Sequence, residues 1–204
     1  ALGFDAVVSE IFTTLTAGAT LVVPTASEHR PGQDLADLLA KEKVSVATIP
    51  PSIMGVMPDE TLPALKTLVS AGEPCTAALV KQWSPGRRFV NAYGPTEGTV
   101  CASMGVCDPS VLTPPTIGRP MAGTSVYIVD AAGSLVPPGL PGEIWIGGVG
   151  VADGYLGRPD LTAEKFDDDP FVANGRLYRS GDEARFTQAG EIDYLGRIDD
   201  QIKH

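Results

Sequence analysis

Cysteine and histidine are scarce in this chain. Among 204 residues there are three cysteines, Cys75, Cys101 and Cys107, and two histidines, His29 and His204. An odd cysteine count without a CxxC pair argues against a disulfide framework and against a zinc site, and fits a reducing cytosol, so a cytoplasmic location is expected. The histidines are far apart in sequence, which makes a two-histidine catalytic or metal centre a poor reading. No apolar run reaches the length of about 18 residues that a membrane span needs, and no signal peptide is expected. Positive charge is also short. Fifteen Lys and Arg against 25 Asp and Glu leave a net charge of −10 with no basic run, which argues against nucleic acid or an anionic membrane as partner. An anionic nucleotide would need local help from backbone N–H groups, a few arginines and a metal ion.

Apolar residues are not short: 43% of the chain is hydrophobic, ordinary for a globular protein and enough for a real core. The first half alternates helical and extended patterns. Asp34 to Lys43 places leucines on one helical face, with Asp34 as a plausible N-cap. Val44 to Ile49, Leu65 to Val69 and Arg88 to Tyr93 read as strands, and Thr76 to Trp83 as a short helix. Strands separated by helices predict an α/β sheet with parallel pairings. The character changes near Pro114. Thr124 to Val129, Gly142 to Gly147, Arg176 to Arg179 and Glu191 to Leu195 read as short strands between Gly and Pro turns, and only Leu161 to Phe166 looks helical, with Asp160 or Thr162 near its start. Many short strands predict a small barrel or distorted sheet. The expectation is an α/β lobe over residues 1–113 and a β-rich, barrel-like lobe over 114–204. A first residue, Ala1, that is not Met, with the apolar Leu2 and Phe4 close behind, reads as a piece excised from a longer protein.

The strongest local signal is Asn91-Ala92-Tyr93-Gly94-Pro95-Thr96-Glu97, directly after a predicted strand. Ligands of open α/β sheets bind at the carboxyl ends of strands. A Gly-Pro turn there would fix a tyrosine, whose flat face can stack on a base, a threonine hydroxyl that can donate to phosphate, and a carboxylate of the kind that Mg²⁺ takes together with phosphate oxygens. A plain strand-turn with a solvated Glu97 has the same pattern. The stretch Gly148-Val149-Gly150-Val151-Ala152-Asp153-Gly154 is GxGxxxG rather than GxGxxG and opens no helix, so its glycines read as turns between strands and not as a dinucleotide fingerprint. Asp182 and Arg197 have the bland reading of a solvated ion pair.

Taken together, these motifs resemble adenylate-forming enzymes, and within them the adenylation domains of nonribosomal peptide synthetases. Asn91 to Glu97 resembles the family's adenine- and metal-binding signature. Phe4-Asp5-Ala6 resembles the start of the amino-acid pocket. Gly142 to Gly148 followed by Gly150 to Leu156 resembles the next glycine-rich signature, Tyr178-Arg179-Ser180-Gly181-Asp182 the ribose-binding signature, and Gly196 to Lys203 the hinge signature. Asp5 and the LTAEKF and GRIDDQIK wording favour the synthetase type over acyl- or aryl-CoA ligases of the same fold. Two positions depart: Asp153 stands where the family more often has Arg, and Ser180 where it usually has Thr.

The resemblance implies the large N-terminal subdomain of an adenylate-forming enzyme, ATP and Mg²⁺ as cofactors, an amino acid as substrate, and partners in a phosphopantetheine-bearing carrier protein and a condensation domain. It implies nucleotide contacts at Gly72, Asn91, Tyr93, Gly94, Thr96, Asp182, Tyr194 and Arg197, metal ligation by Glu97, and a hinge at Asp199. It also implies that Asp5 binds the substrate's α-ammonium, and that Ala6, Ser9, Thr48, Val69, Ala71, Ala92, Val100 and Cys101 line a pocket for its side chain. These residues are small and uncharged, which suits an aromatic side chain of the phenylalanine or tyrosine type and rejects charged ones. The family's Ser/Thr/Gly-rich phosphate loop would precede this chain, and a small domain with a catalytic lysine would follow it. The isolated chain is therefore expected to be an inactive binding module, while its parent is an enzyme.

Overall fold

The computed structural model describes residues 4–58 and 60–198, in two compact units. The first comprises the described residues up to Ala92 together with Val106–Pro115, and the second Tyr93–Gly105 together with the described residues from Thr116 onward. Residues 93–105 thus pack with the later part of the chain, although the change in sequence character falls near Pro114.

The first unit is a parallel sheet with helical crossovers. Strand β1 (Val46–Thr48) pairs in parallel with β2 (Thr67–Ser70), and β2 with β3 (Arg88–Tyr93), whose last residue opens the second unit. Helices α3 (Pro51–Val56) and α4 (Ala77–Trp83) make the crossovers. Pro51 sits in the first turn of α3, where its missing N–H costs nothing. Thr76 caps α4 by accepting from Leu79 N–H at 3.3 Å. Helix α2 (Gln33–Lys41) begins one residue earlier than its pattern suggests. Gly32, at φ 97°, holds the cap, and Asp34 lies in the first turn, where its charge favours the positive end of the helix dipole. Ala36 and Leu39 of α2 bury against Met54, Leu65, Leu68, Val80, Trp83 and Phe89.

Helix α1 (Ala6–Thr16) was not legible as a helix. Among the described residues it is the one helix of this unit with no buried residue, and Val8, Phe12 and Leu15 are 44%, 63% and 59% exposed. Its sequence, rich in Val, Thr and Ile, has weak intrinsic helix preference, so the pattern gave little sign of it.

In the second unit, β6 (Thr124–Val129), β7 (Gly142–Gly148), β9 (Arg176–Phe186) and β10 (Ile192–Arg197) form an antiparallel sheet in the order β10-β9-β7-β6, with β8 (Phe166–Asp168) paired to β9. Among the described residues no pair joins β6 to β10. Helix α5 (Pro159–Lys165) leads into β8, and the short β4 (Ser103–Val106) and β5 (Arg119–Pro120) pair through Ser103–Pro120 and Met104–Arg119. Ile128, Ile144, Ile146, Ala184 and Ile192 form the core, each at most 1% exposed.

Strand β9 is much longer than the four residues its alternation suggests, because a bulge hides its period. Pairing with β7 shifts between Glu143 and Trp145, and pairing with β10 shifts between Tyr194 and Gly196. The first irregularity faces Ser180-Gly181-Asp182, where Gly181 takes φ 71°, a left-handed conformation that glycine adopts without strain, and the second lies opposite Glu183 and Ala184. A bulge bends a strand and re-aims its side chains, and here it sets Asp182 into the interior.

Candidate active site

Asp182 is the centre of the second unit's polar chemistry. The residue is 1% exposed. Its Oδ2 accepts from the Tyr93 hydroxyl at 2.5 Å, and its Oδ1 accepts from the Tyr194 hydroxyl at 3.1 Å and from Arg197 Nη1 at 3.3 Å. Its own N–H donates to Ser180 Oγ at 3.0 Å, and that hydroxyl donates to the Ile144 carbonyl at 2.7 Å. Serine in place of the family's threonine therefore keeps a bonded hydroxyl. A buried carboxylate is stable only when paired and hydrogen-bonded, and three donors meet that need. The solvated ion pair allowed by sequence is excluded by this burial.

Tyr93 belongs to the core as well as to the site. It is 9% exposed and lies 5.8 Å, centroid to centroid, from the tilted ring of Tyr194, so little of it is left open for a base to stack on. Burial raises its hydroxyl pKa well above the ordinary tyrosine value, and the neighbouring Asp182 carboxylate raises it further. Burial, then Asp182, pushes Tyr194 up to about 12.

The turn after Tyr93 is built by close approach. A side chain at Gly94 would come within 2.5 Å of the Val100 carbonyl oxygen, so only glycine fits under the returning chain. The segment Thr96–Gly98 is a single 3-10 turn, and Thr99 and Val100 follow at φ 59° and 70°. Two consecutive β-branched residues in left-handed backbone are strained, and strain of this kind collects at functional sites. The half-buried Glu97 ends up beside Tyr155, whose hydroxyl donates to Glu97 Oε1. Burial and this hydrogen bond push Tyr155 up to about 12, and burial followed by Tyr155 raises Tyr178 further above the tyrosine range.

A tyrosine whose pKa is raised on folding holds its proton more tightly in the folded chain. Its contribution is complete below the unfolded value, about 10, and is lost as pH rises through the folded value. Stability should therefore hold to about pH 10 and fall between there and pH 12, the window set by Tyr155 and Tyr194. Alkaline titration should show tyrosinate absorbance appearing together with loss of far-UV ellipticity. Full ionisation of the tyrosines in a chain that stays folded would contradict these pKa directions.

In the first unit, the carboxyl ends of the parallel strands bring together several residues expected to line the pocket. Thr48 and Val69 are register partners on β1 and β2, and Ser70 beside Ala71 is the partner of Asn91 beside Ala92. Asp5 precedes α1, while Ala6 and Ser9 lie in its first two turns, all three half-buried. Gly72 follows β2 at φ 87°. Val100 and Cys101 belong to the second unit, as do all the nucleotide residues expected from sequence except Gly72 and Asn91. Asp199, the expected hinge, lies outside the described residues. Among the described residues no cysteine forms a disulfide, and Asp153 is exposed, its carbonyl accepting from Arg176 Nη2 at 2.9 Å.

The donor set fits a nucleotide with Mg²⁺. Among the described residues no group of three or more His, Cys, Asp and Glu could hold a metal ion by itself. Glu97 offers one oxygen beyond the one Tyr155 engages, and Mg²⁺ is commonly bound by one or two carboxylates together with phosphates and water. Asp182 has room for about four donors and receives three side-chain ones, so one ribose hydroxyl would take the remaining position and a second would displace the longest contact, that of Arg197. Sequence reasoning quoted Tyr155 within a motif but gave it no role. The signal available was its place after a glycine-rich turn.

The chain matches the model of the AMP-binding enzyme family over residues 1–156. It belongs to that family. It is 48% identical over 99% of its length to bacitracin synthase 3 of Bacillus licheniformis, and 48% identical over 98% to novobiocin biosynthesis protein H of Streptomyces niveus. It spans 3% and 33% of those proteins respectively. Its structure superposes along its whole length on 43% of a solved NRPS protein containing adenylation and PCP domains, with a TM-score of 0.88 at 28% identity. This family member therefore has the fold of adenylation-domain structures, in two sheets. No helix among its described residues is long and apolar enough to cross a membrane.

Proposed function

We propose that this chain is the substrate-binding part of an adenylation domain that activates an amino acid for nonribosomal peptide synthesis. A carboxylate oxygen of the amino acid attacks the α-phosphorus of ATP, the bond to the β,γ-phosphates breaks, and pyrophosphate leaves an aminoacyl adenylate. A carrier-protein phosphopantetheine thiol then attacks the acyl carbon, giving a thioester and AMP. No protein nucleophile is required, so the residues bind, orient and stabilise charge. Asp182 accepts from ribose hydroxyls, Arg197 offers a permanently charged fork to ribose or phosphate, and Thr96 donates to phosphate. Glu97 holds Mg²⁺, which when bound neutralises phosphate charge. Asp199 serves as the hinge to a small domain, and Asp5 pairs with the substrate ammonium.

The observation that carries this reading is the buried Asp182 with Tyr93, Tyr194 and Arg197 on it. For the side chain, the small uncharged set Ala6, Ser9, Thr48, Val69, Ala71, Ala92, Val100 and Cys101 supports an aromatic substrate, tyrosine slightly before phenylalanine because Ser9 and Thr48 can bond a ring hydroxyl. Pyrophosphate exchange by the complete adenylation domain with Phe, Tyr, Leu, Val and Glu should favour Phe and Tyr. Preference for Glu or Val would contradict the aromatic assignment, and equal exchange with a des-amino analogue would contradict the role of Asp5.

A further inference from the structure

Glu97 is not held by its own turn alone. Three hydrogen bonds run to it and its neighbours from the loop 150–155. The Ala152 N–H donates to the Glu97 carbonyl at 2.9 Å, Thr99 Oγ1 donates to the Gly150 carbonyl at 2.5 Å, and the Tyr155 hydroxyl donates to the Glu97 carboxylate. Tyr155 is itself fixed from behind. Its N–H donates to Thr162 Oγ1 at 2.9 Å, the Thr162 hydroxyl donates to the Arg158 carbonyl at 2.9 Å, and its ring meets Phe166 edge-on at 5.4 Å. The Phe166 ring in turn packs against Tyr178, with centroids 5.1 Å apart. The glycine-rich loop and the start of α5 thus form one continuous brace that ends on a single carboxylate oxygen.

Such an arrangement is more than a loop needs to stay folded. A hydroxyl that donates to one oxygen of a carboxylate fixes its rotation and directs the other oxygen outward, as the outer partners of metal ligands do. We infer that Tyr155 is a positioning residue for Glu97, orienting its carboxylate toward a divalent cation carried by nucleotide phosphates, with Thr162 setting the orientation of Tyr155. This rests on the reading of Glu97 as metal ligand proposed above. It also gives a task to the Gly150–Leu156 motif and to Thr162 of α5, which the proposed reaction otherwise leaves unused.

The test is Mn²⁺ binding, followed by loss of its free paramagnetic resonance signal, to the complete adenylation domain saturated with a non-hydrolysable ATP analogue. No turnover enters this readout. Tyr155→Phe should weaken Mn²⁺ by about tenfold, the lower end of what removing such a partner costs. Thr162→Val, which keeps shape and loses the hydroxyl, should weaken it in the same direction by less. Glu97→Gln should weaken it more than either, and Tyr155→Phe added to Glu97→Gln should cost nothing further. Wild-type Mn²⁺ affinity in both Tyr155→Phe and Thr162→Val, while Glu97→Gln loses it, would overturn the positioning role and leave Glu97 as ligand. Wild-type affinity in Glu97→Gln would overturn both. An additional loss from Tyr155→Phe in the Glu97→Gln background would show a merely structural effect and likewise overturn the proposal.

Discussion

Asp182→Ala should destabilise this chain by about 3–5 kcal/mol, the cost of removing one partner from a buried ionic cluster. The carboxylate accepts from Tyr93, Tyr194 and Arg197, and its side chain is 2% exposed. Truncation would leave two tyrosine hydroxyls and a guanidinium facing a void. Arg197, with 19% of its side chain exposed, can turn toward water, whereas the Tyr93 hydroxyl is enclosed with the core. Arg197→Ala should therefore cost less than Asp182→Ala. Tyr93→Phe should cost about 1–2 kcal/mol, a hydrogen bond to a charged group. Equilibrium unfolding in urea reads all three. An Asp182→Ala chain as stable as the wild type would mean that the cluster is not formed in solution.

Glu97→Gln should lower Mg²⁺-dependent pyrophosphate exchange by about 10²–10³-fold in the complete adenylation domain, the range seen when one preorganised electrostatic contact is removed. Its effect on folding should stay small, because the Tyr155 hydroxyl can donate to the amide oxygen as it does to the carboxylate. Comparing exchange rates over a range of Mg²⁺ concentrations with the unfolding midpoint separates the two. An unchanged Mg²⁺ requirement would remove Glu97 from the metal site.

These two residues also show what the sequence made legible. Glu97 was singled out because its motif's residue types have a chemical task, Asp182 only because its motif resembles a ribose-binding signature, and the strand Arg88–Tyr93 at the first motif has the expected bounds. Tyr155 was quoted without a role because nothing in local spacing says that residue 155 returns to residue 97. That contact is made by tertiary packing across 58 positions. Likewise, left-handed backbone at Thr99 and Val100 runs against the preference of β-branched residues, so no propensity could announce it. Strand β9 was shortened because the bulge at Ser180-Gly181-Asp182 breaks the two-residue period on which strand reading depends. Helix α1 was missed for the opposite reason: none of its residues is fully buried, so no buried face marks its period.

The most direct test is whether the adenylation domain containing this chain makes an adenylate that depends on an α-amino acid. Exchange of labelled pyrophosphate into ATP should require both Mg²⁺ and an amino acid, and the acyl group should then load onto a phosphopantetheinyl carrier protein. Exchange that proceeds equally with carboxylic acids lacking the α-amine, with the acyl group delivered to free coenzyme A instead, would contradict the account.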